Sequence, residues 1–247
     1  MPENIQWFES WFDTSYYHLL YAHRDENEAR HFLGRLTDIL QIPKCSKILD
    51  LACGKGRHSI YLHSKGFEVK GVDLSENSIT KAKEETAKGL SFGVHDMRQP
   101  LPDKFNYIFS LFTSFGYFEK IEEDQAVLNA VGQMLMHGGI FVLDFLNAAK
   151  VKNDIASFVG LDFEREGIHF SIEKKISSGR VQKEIVVNDG SKTSTFNEFV
   201  RLYTQTELIS MLNKARLEPF DFFGNYELGP FNQNESERLL IFARKNR

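Results

Sequence analysis

Lys47-Ile-Leu-Asp-Leu-Ala-Cys-Gly-Lys-Gly-Arg57 ends an apolar run on a carboxylate, Asp50, and follows it with Gly54 and Gly56 ahead of a segment of helical character. The next apolar run, about 20 residues further on, ends in a second acid, Asp73. Glycines at such a turn let a ligand come close to the backbone, and an acid at the end of the following strand accepts hydrogen bonds from ribose hydroxyls. The chemistry implied is a βαβ pocket for an adenosine-type ligand. A dinucleotide turn wants Gly-x-Gly-x-x-Gly, but Gly54-Lys-Gly56 is followed by Arg57-His-Ser59, so the third glycine is missing. Asp50 also suits a ligand bearing positive charge better than a pyrophosphate, which it would repel at short range.

Elements that could position these residues are readable around them. Apolar runs near 47–52, 67–72, 90–95, 105–112 and 139–145 alternate with helical segments at about 57–65, 76–87 and 123–136. That alternation predicts a mostly parallel sheet with helices on both faces, and a ligand at the carboxyl ends of the strands near the reversal of strand order. Ahead of it, Ala29, Phe32, Leu33, Leu36 and Leu40 fall at helix spacing. An aromatic amphipathic stretch (Trp7, Phe8, Trp11, Phe12, Tyr16, Leu19, Leu20) comes first, and either covers a sheet edge or lies across a ligand mouth.

After Asn147 the period changes to two. Ile168, Phe170 and Ile172 alternate with polar residues, then Val181, Lys183, Ile185 and Val187, then a run from about Thr193 to Tyr203, with turns at Ser177-Ser-Gly179 and Asn188-Asp-Gly190. This predicts a three-stranded antiparallel meander. Thr204-Gln-Thr-Glu207 has the form of a capping box ahead of a further helix, and strands near 217–223 and 238–244 complete the pattern.

The chain has 247 residues, 42% of them hydrophobic and 26% charged, in the ordinary range for a globular protein. Thirty basic against 34 acidic residues, a net charge of -4, argues against a nucleic-acid partner. Two cysteines, Cys45 and Cys53, do not make a disulfide framework, so a cytoplasmic setting is expected. Met1-Pro-Glu-Asn-Ile5 does not open like a signal peptide. No apolar run approaches the ~20 residues of a membrane span. His18 with His23, and His58 with His63, are five apart and off one helix face, and no metal is expected. Twenty-two phenylalanines predict an aromatic core more than a substrate cavity.

Asp50-Leu-Ala-Cys-Gly-Lys-Gly56 resembles the first motif, Asp-x-x-x-Gly-x-Gly, of the class I S-adenosylmethionine-dependent methyltransferases. The resemblance spans about 46–146. It implies an α/β fold: a Rossmann-like, doubly wound, mostly parallel seven-stranded sheet with an antiparallel final strand and a small antiparallel insertion after strand five. One domain is expected, with a helical cap over 1–42, a cofactor-binding core over 43–150, the inserted meander over 151–203 and closing elements over 204–247. The resemblance also implies S-adenosylmethionine as cofactor and S-adenosylhomocysteine as product. Asp50 and the loop Ala52, Cys53, Gly54 and Gly56 would hold the methionine end, Asp73 the ribose, and Leu74, Asp96 and Met97 the adenine, with Phe112 at the end of the fourth strand. Asn106 stands where the family often has an acid, and His137 where the turn into strand five usually has proline. Arg57 and His58 read as helix-start residues.

The acceptor is open. Tyr117, with Phe115, is a candidate wall for it or packs the next helix; Arg201 in the meander is a second candidate contact. The meander builds an acceptor site, makes a homodimer contact or is a plain elaboration. A small-molecule acceptor fits the charge best. An RNA or protein methyltransferase and a non-catalytic S-adenosylmethionine binder share the same cofactor residues, and an NAD-dependent oxidoreductase fits least. In-line methyl transfer depends mainly on alignment, so a dedicated base is optional.

Overall fold

The computed structural model describes residues 6–21 and 26–246. Met1–Ile5, on which the reading of the chain's opening rests, and His23 lie outside the described residues. The helices α1 (Trp7–Trp11), α2 (Ser15–Leu20) and α3 (Glu26–Ile39) come first. The run 7–20 is therefore not one helix. Thr14 accepts a hydrogen bond from the Tyr17 N–H and starts a new helix, because a threonine hydroxyl satisfies one of the free N–H groups of a first turn. In α3, Ala29, Phe32, Leu33 and Leu36 are buried along one stripe, as their spacing predicts.

Alternation then builds the main sheet: β1 (Lys47–Leu51), α4 (Arg57–Ser64), β2 (Glu68–Asp73), α5 (Glu76–Ala82) with a 3-10 turn at Lys83–Glu85, β3 (Leu90–Val94), β4 (Phe105–Ser110), α6 (Ile121–Met134) and β5 (Leu135–Leu146). β5 starts earlier than expected, running through Gly138 and Gly139. Next come α7 (Ala148–Ala156), β6 (Leu161–Arg165), β7 (Ile168–Ser177), β8 (Arg180–Asn188), β9 (Thr193–Arg201), α8 (Gln205–Lys214), β10 (Leu217–Phe223) and β11 (Arg238–Lys245). The seven-stranded sheet has the order β10-β11-β5-β4-β1-β2-β3. β11 runs antiparallel to both its neighbours, and the remaining pairs are parallel. One face packs Phe32, Leu33, Leu36, Leu62 and Ile79 against Ile48, Val69 and Phe109; the other packs Val127, Leu128, Val131 and Leu208 against Leu49, Ile108 and Phe141. Strand order reverses between β1 and β4, so their carboxyl ends part to leave a crevice.

The antiparallel sheet has four strands in the order β6-β7-β8-β9, rather than three. Leu161–Arg165 joins β7 through Glu166 and Gly167, both at positive φ, the two-residue turn that matches strand twist. Helix α7 has only short apolar spacing and forms where Asn147 caps it by accepting from the Ala149 N–H. Trp11 and Leu20 lie against Phe170, Ile172, Ile185 and Val187 of this sheet, forming a separate core. The Tyr203 hydroxyl, just past β9, donates to the buried Asp124 at 2.7 Å and ties the end of the antiparallel sheet to α6.

A buried ion pair, Arg238 with Asp144, lies beneath the crevice. Fully buried Asp144 of β5 accepts from the Phe112 N–H at 2.6 Å, from the Tyr226 hydroxyl at 3.1 Å and from Arg238 Nε at 2.9 Å. Arg238 also reaches Thr113 Oγ1 at 2.6 Å. Removing one partner of such a pair leaves an uncompensated buried charge. Arg238→Ala is expected to lower folding stability by about 3–5 kcal/mol in urea titrations; a loss under about 1 kcal/mol would show that water replaces the guanidinium.

Candidate cofactor and acceptor site

The turn after β1 is set by backbone conformation. Ala52 and Gly54 are at φ 65° and 54°, and the Gly54 N–H donates to Asp73 Oδ2 at 2.8 Å. Asp73 Oδ1 accepts from the Ser75 N–H at 2.9 Å. A carboxylate has about four lone-pair directions, so Asp73 is fixed in place and keeps acceptor capacity for a ligand. Burial raises its pKa, opposed by these backbone hydrogen bonds. A Cβ built on Gly54 meets nothing within 4 Å, and Gly54 lines a cavity.

This cavity, of about 340 Å³, is lined by Ala52, Cys53, Gly54, Asp73, Leu74, Asp96, Met97, Phe112 and Tyr117 among the residues expected from sequence. Its size falls within the range of small-molecule sites. Asp96 is gripped by Arg98, which bonds its Oδ2 at 2.6 Å and Glu123 at 2.6 Å. Burial works against the Asp96 charge, but the guanidinium prevails and holds its carboxyl below the usual range. Phe112 sits at φ 56° and Thr113 at 61°. Left-handed non-glycine residues are costly and persist only where their surroundings dictate them, as the Asp144 bond to the Phe112 N–H does here.

Asp50, Gly56 and Arg201 stand outside the cavity. Asp50 is 2% exposed and turns under the loop, where its Oδ2 accepts from Ser59 Oγ at 2.7 Å. Gly56 caps α4 at φ 83°, and a Cβ there would lie 2.6 Å from the Phe92 ring. Both residues shape the loop from behind. Arg201 donates to the Glu119 carbonyl at 2.7 Å and lies 3.8 Å from Asp124, linking the end of β9 to the start of α6. Phe115 is buried against Phe145 and Tyr203 in the core. The Tyr117 hydroxyl donates to the Thr113 carbonyl. Asn106 accepts from the Lys47 N–H at 2.9 Å and starts β1 beside β4, a structural use of that position.

For the far half of the wall, sequence reading leaves the leading aromatic stretch at a sheet edge or across a ligand mouth and does not single out Tyr17, His18 and Tyr21 as lining residues. Trp7, Phe8, Phe12, Tyr17, His18 and Tyr21 of the leading helices line it, so this segment does lie across the mouth. Glu198 and Val200 of β9 join them. Glu198 accepts from Trp11 Nε1 and the Tyr21 hydroxyl, both at 2.7 Å, and lies 3.7 Å from Lys183 Nζ. Its signal was a lone acid on the strand parity of Phe196 and Val200. Burial first, and Lys55 second, hold His18 below its ordinary pKa. Arg57 and His58 open α4, as expected, and also reach the wall, His58 stacking on Phe112 at 4.9 Å.

Residues 43–154 match the family model described as methyltransferase domain. The dTDP-3-amino-3,4,6-trideoxy-alpha-D-glucopyranose N,N-dimethyltransferase of Streptomyces venezuelae is 30% identical over 131 residues, 52% of this chain and 54% of that one. The glycine/sarcosine N-methyltransferase of Aphanothece halophytica is 30% identical over 152 residues, 59% and 54% respectively. The chain thus spans about half the length of these curated relatives. A solved S-adenosylmethionine-dependent methyltransferase from Clostridium acetobutylicum has the same fold, with a TM-score of 0.79, 21% identity and coverage of 94% and 96%.

Burial pushes the Asp50 carboxyl up to about 6, against the Ser59 hydrogen bond and with the Asp73 charge adding to the rise. A raised carboxyl pKa favours the folded state below the unfolded value near 4, and that contribution is lost as pH climbs through about 6. Asp50→Asn keeps an acceptor for Ser59 and cannot ionise. Its urea midpoint should gain on the parent as pH rises from about 4 through 6 and hold that gain above. A gap independent of pH would refute the burial of a carboxylate there.

Proposed function

We propose that this chain, whose residues 43–154 match a methyltransferase-domain model, is a class I S-adenosylmethionine-dependent methyltransferase that moves a methyl group to a small-molecule acceptor, and that the acceptor atom is an amine nitrogen. The observation that carries the reading is Asp73, anchored by two backbone N–H groups at the rim of a cavity into which Gly54 presents bare backbone. Asp73 would take the ribose hydroxyls, Leu74, Asp96 and Met97 the adenine, and the Ala52–Gly54 turn the methionine end. Bound there, S-adenosylmethionine would supply a methyl group on a positively charged sulfur for the lone pair of an amine nitrogen, the sulfur ending as a neutral thioether and the nitrogen giving up a proton.

The protein's own part is placement. Trp7, Phe12, Tyr17 and Tyr117 exclude water and offer ring faces, which attract an amine in its protonated form. Glu198 adds a carboxylate at that end, and His18, neutral at physiological pH, can take up a proton. The N-methyltransferase names of the two curated relatives support nitrogen over oxygen or carbon. Two unpaired cysteines support a reducing, cytoplasmic setting. Among the described residues no helix is long and apolar enough to cross a membrane.

Asp73→Ala should weaken S-adenosylhomocysteine binding by about 1–3 kcal/mol in calorimetry. Gly54→Leu, which fills the cavity, should abolish binding with the thermal transition retained; unchanged affinity in either variant removes the cofactor assignment. Glu198→Gln should raise KM for amine acceptors in a methyl-transfer screen and leave S-adenosylhomocysteine affinity unchanged. Turnover confined to alcohols or to RNA would overturn the amine reading.

A further inference from the structure

Away from Asp73 and the Gly54 turn, the cavity changes character. Trp7 meets Phe12 and Tyr117 at ring-centroid distances of 5.6 and 5.3 Å, each pair of planes inclined by 70°. The Tyr17 ring lies between Phe12 and Tyr21, 4.8 and 4.9 Å away. Inclined contacts of this kind are the favoured geometry for ring pairs, so the wall keeps its shape without a ligand. Apart from Tyr117, these residues belong to the leading helices, and Glu198 and Val200 of β9 complete that side. The match to the methyltransferase-domain model covers 43–154, so the leading helices and β9 both fall outside it.

Donors that a ligand's oxygens would seek on this side are turned into the protein. The Tyr21 hydroxyl donates to both oxygens of Glu198, at 2.7 and 2.9 Å, and the Tyr117 hydroxyl donates to the Thr113 carbonyl. Ser114 Oγ donates to the Leu111 carbonyl at 3.0 Å, and Trp7 Nε1 is buried beneath the cavity surface. An acceptor does remain. Glu198 takes bonds from Trp11 and Tyr21, while Lys183 Nζ stays at 3.7 Å, beyond hydrogen-bond range. A carboxylate has about four lone-pair directions, so room is left for a single further N–H. Positive charge gathers instead at the turn, where Lys55 follows Gly54 and Arg57 lies over the Phe112 ring at 5.1 Å. Sugar hydroxyls or a carboxylate, buried against the aromatic side, would lose the hydrogen bonds they make in water. An amine N–H needs only an acceptor, and an apolar body gains by leaving water.

Building on the amine nitrogen proposed above, we propose that the acceptor carries its amine on an apolar body, as an arylalkylamine or branched alkylamine does, and is neither an amino sugar nor an amino acid. The body lies against Trp7, Phe12 and Tyr117, and the nitrogen keeps one N–H on Glu198. Selectivity comes from what the wall withholds, since a site that leaves a ligand's oxygens desolvated and unpaired rejects that ligand. This separates the chain from the two curated relatives, whose names give an amino sugar in one case and glycine or sarcosine in the other.

The full chain, with and without S-adenosylhomocysteine, is titrated with phenethylamine, glucosamine and glycine by calorimetry, and methyl transfer to each is then measured. Phenethylamine should bind at least tenfold more tightly than either of the others, with kcat/KM higher by at least as much. Phe12→Ser should weaken phenethylamine binding tenfold or more, and S-adenosylhomocysteine affinity within twofold of the parent checks that variant's fold. Val200→Thr, which sets a hydroxyl into the wall with little change of shape, should narrow the preference over glucosamine at least threefold even where the first variant fails to fold. Equal or tighter binding of glucosamine or glycine overturns the proposal. So does the absence of saturable phenethylamine binding, or a preference that both substitutions leave unmoved. The readings fail separately. Turnover of glucosamine ahead of phenethylamine leaves amine methylation standing and removes the apolar body. Transfer to phenethyl alcohol alone keeps the apolar body and removes the nitrogen.

Discussion

The hydrogen bond from the Gly54 N–H to the Asp73 carboxylate joins the ends of the neighbouring strands β1 and β2 beside the crevice, and the site is organised around it. Its donor is available because Ala52 and Gly54 take left-handed conformations that lift the chain off the strand direction. Its acceptor is held on the other oxygen by Ser75, whose side chain also caps α5. One carboxylate therefore fixes a turn, closes a strand end and faces the cavity. Asp50, which resembles a ligand contact in sequence, works beneath this bond by holding Ser59 of α4.

The second strained strand end has a different support. At Phe112 and Thr113 no glycine relieves the left-handed backbone, and the compensation comes from Asp144 and Arg238 underneath. Phe112 can then turn its ring into the wall, with His58 stacked on it and Arg57 over it at 5.1 Å. Polar atoms are concentrated on the βα-turn side of the cavity, and aromatic rings on the side of the leading helices.

Much of this was legible in the chain. Strand-end acids, the glycine turn and the Thr204–Glu207 box are local signals, and they fell where the alternation put them. What escaped was non-local. Glu198 reaches the cavity only because β9 lies beside Trp11, a contact across 187 residues of sequence. Arg201 has the composition of a ligand contact but is spent on Glu119 and Asp124. A fourth antiparallel strand escaped because Leu161–Arg165 is largely exposed and has little apolar alternation. The aromatic richness served both uses weighed for it: Phe32, Phe109 and Phe141 fill the core, while Phe8, Phe12 and Phe112 line the cavity.

Arg238 closes on Asp144 across 94 residues of sequence. A ribosome therefore delivers the βαβ unit, with both strand-end acids, long before it delivers the guanidinium that steadies Phe112. Until β11 slides in beside β5, a nascent chain carries a buried carboxylate without its counter-ion and a strand end without its clamp. Such an intermediate presents the open side of β5 as an unpaired edge, ready to add a strand from another chain. The antiparallel strand thus does two things at once: it brings the guanidinium that supports the pocket wall and covers the sheet edge at β5.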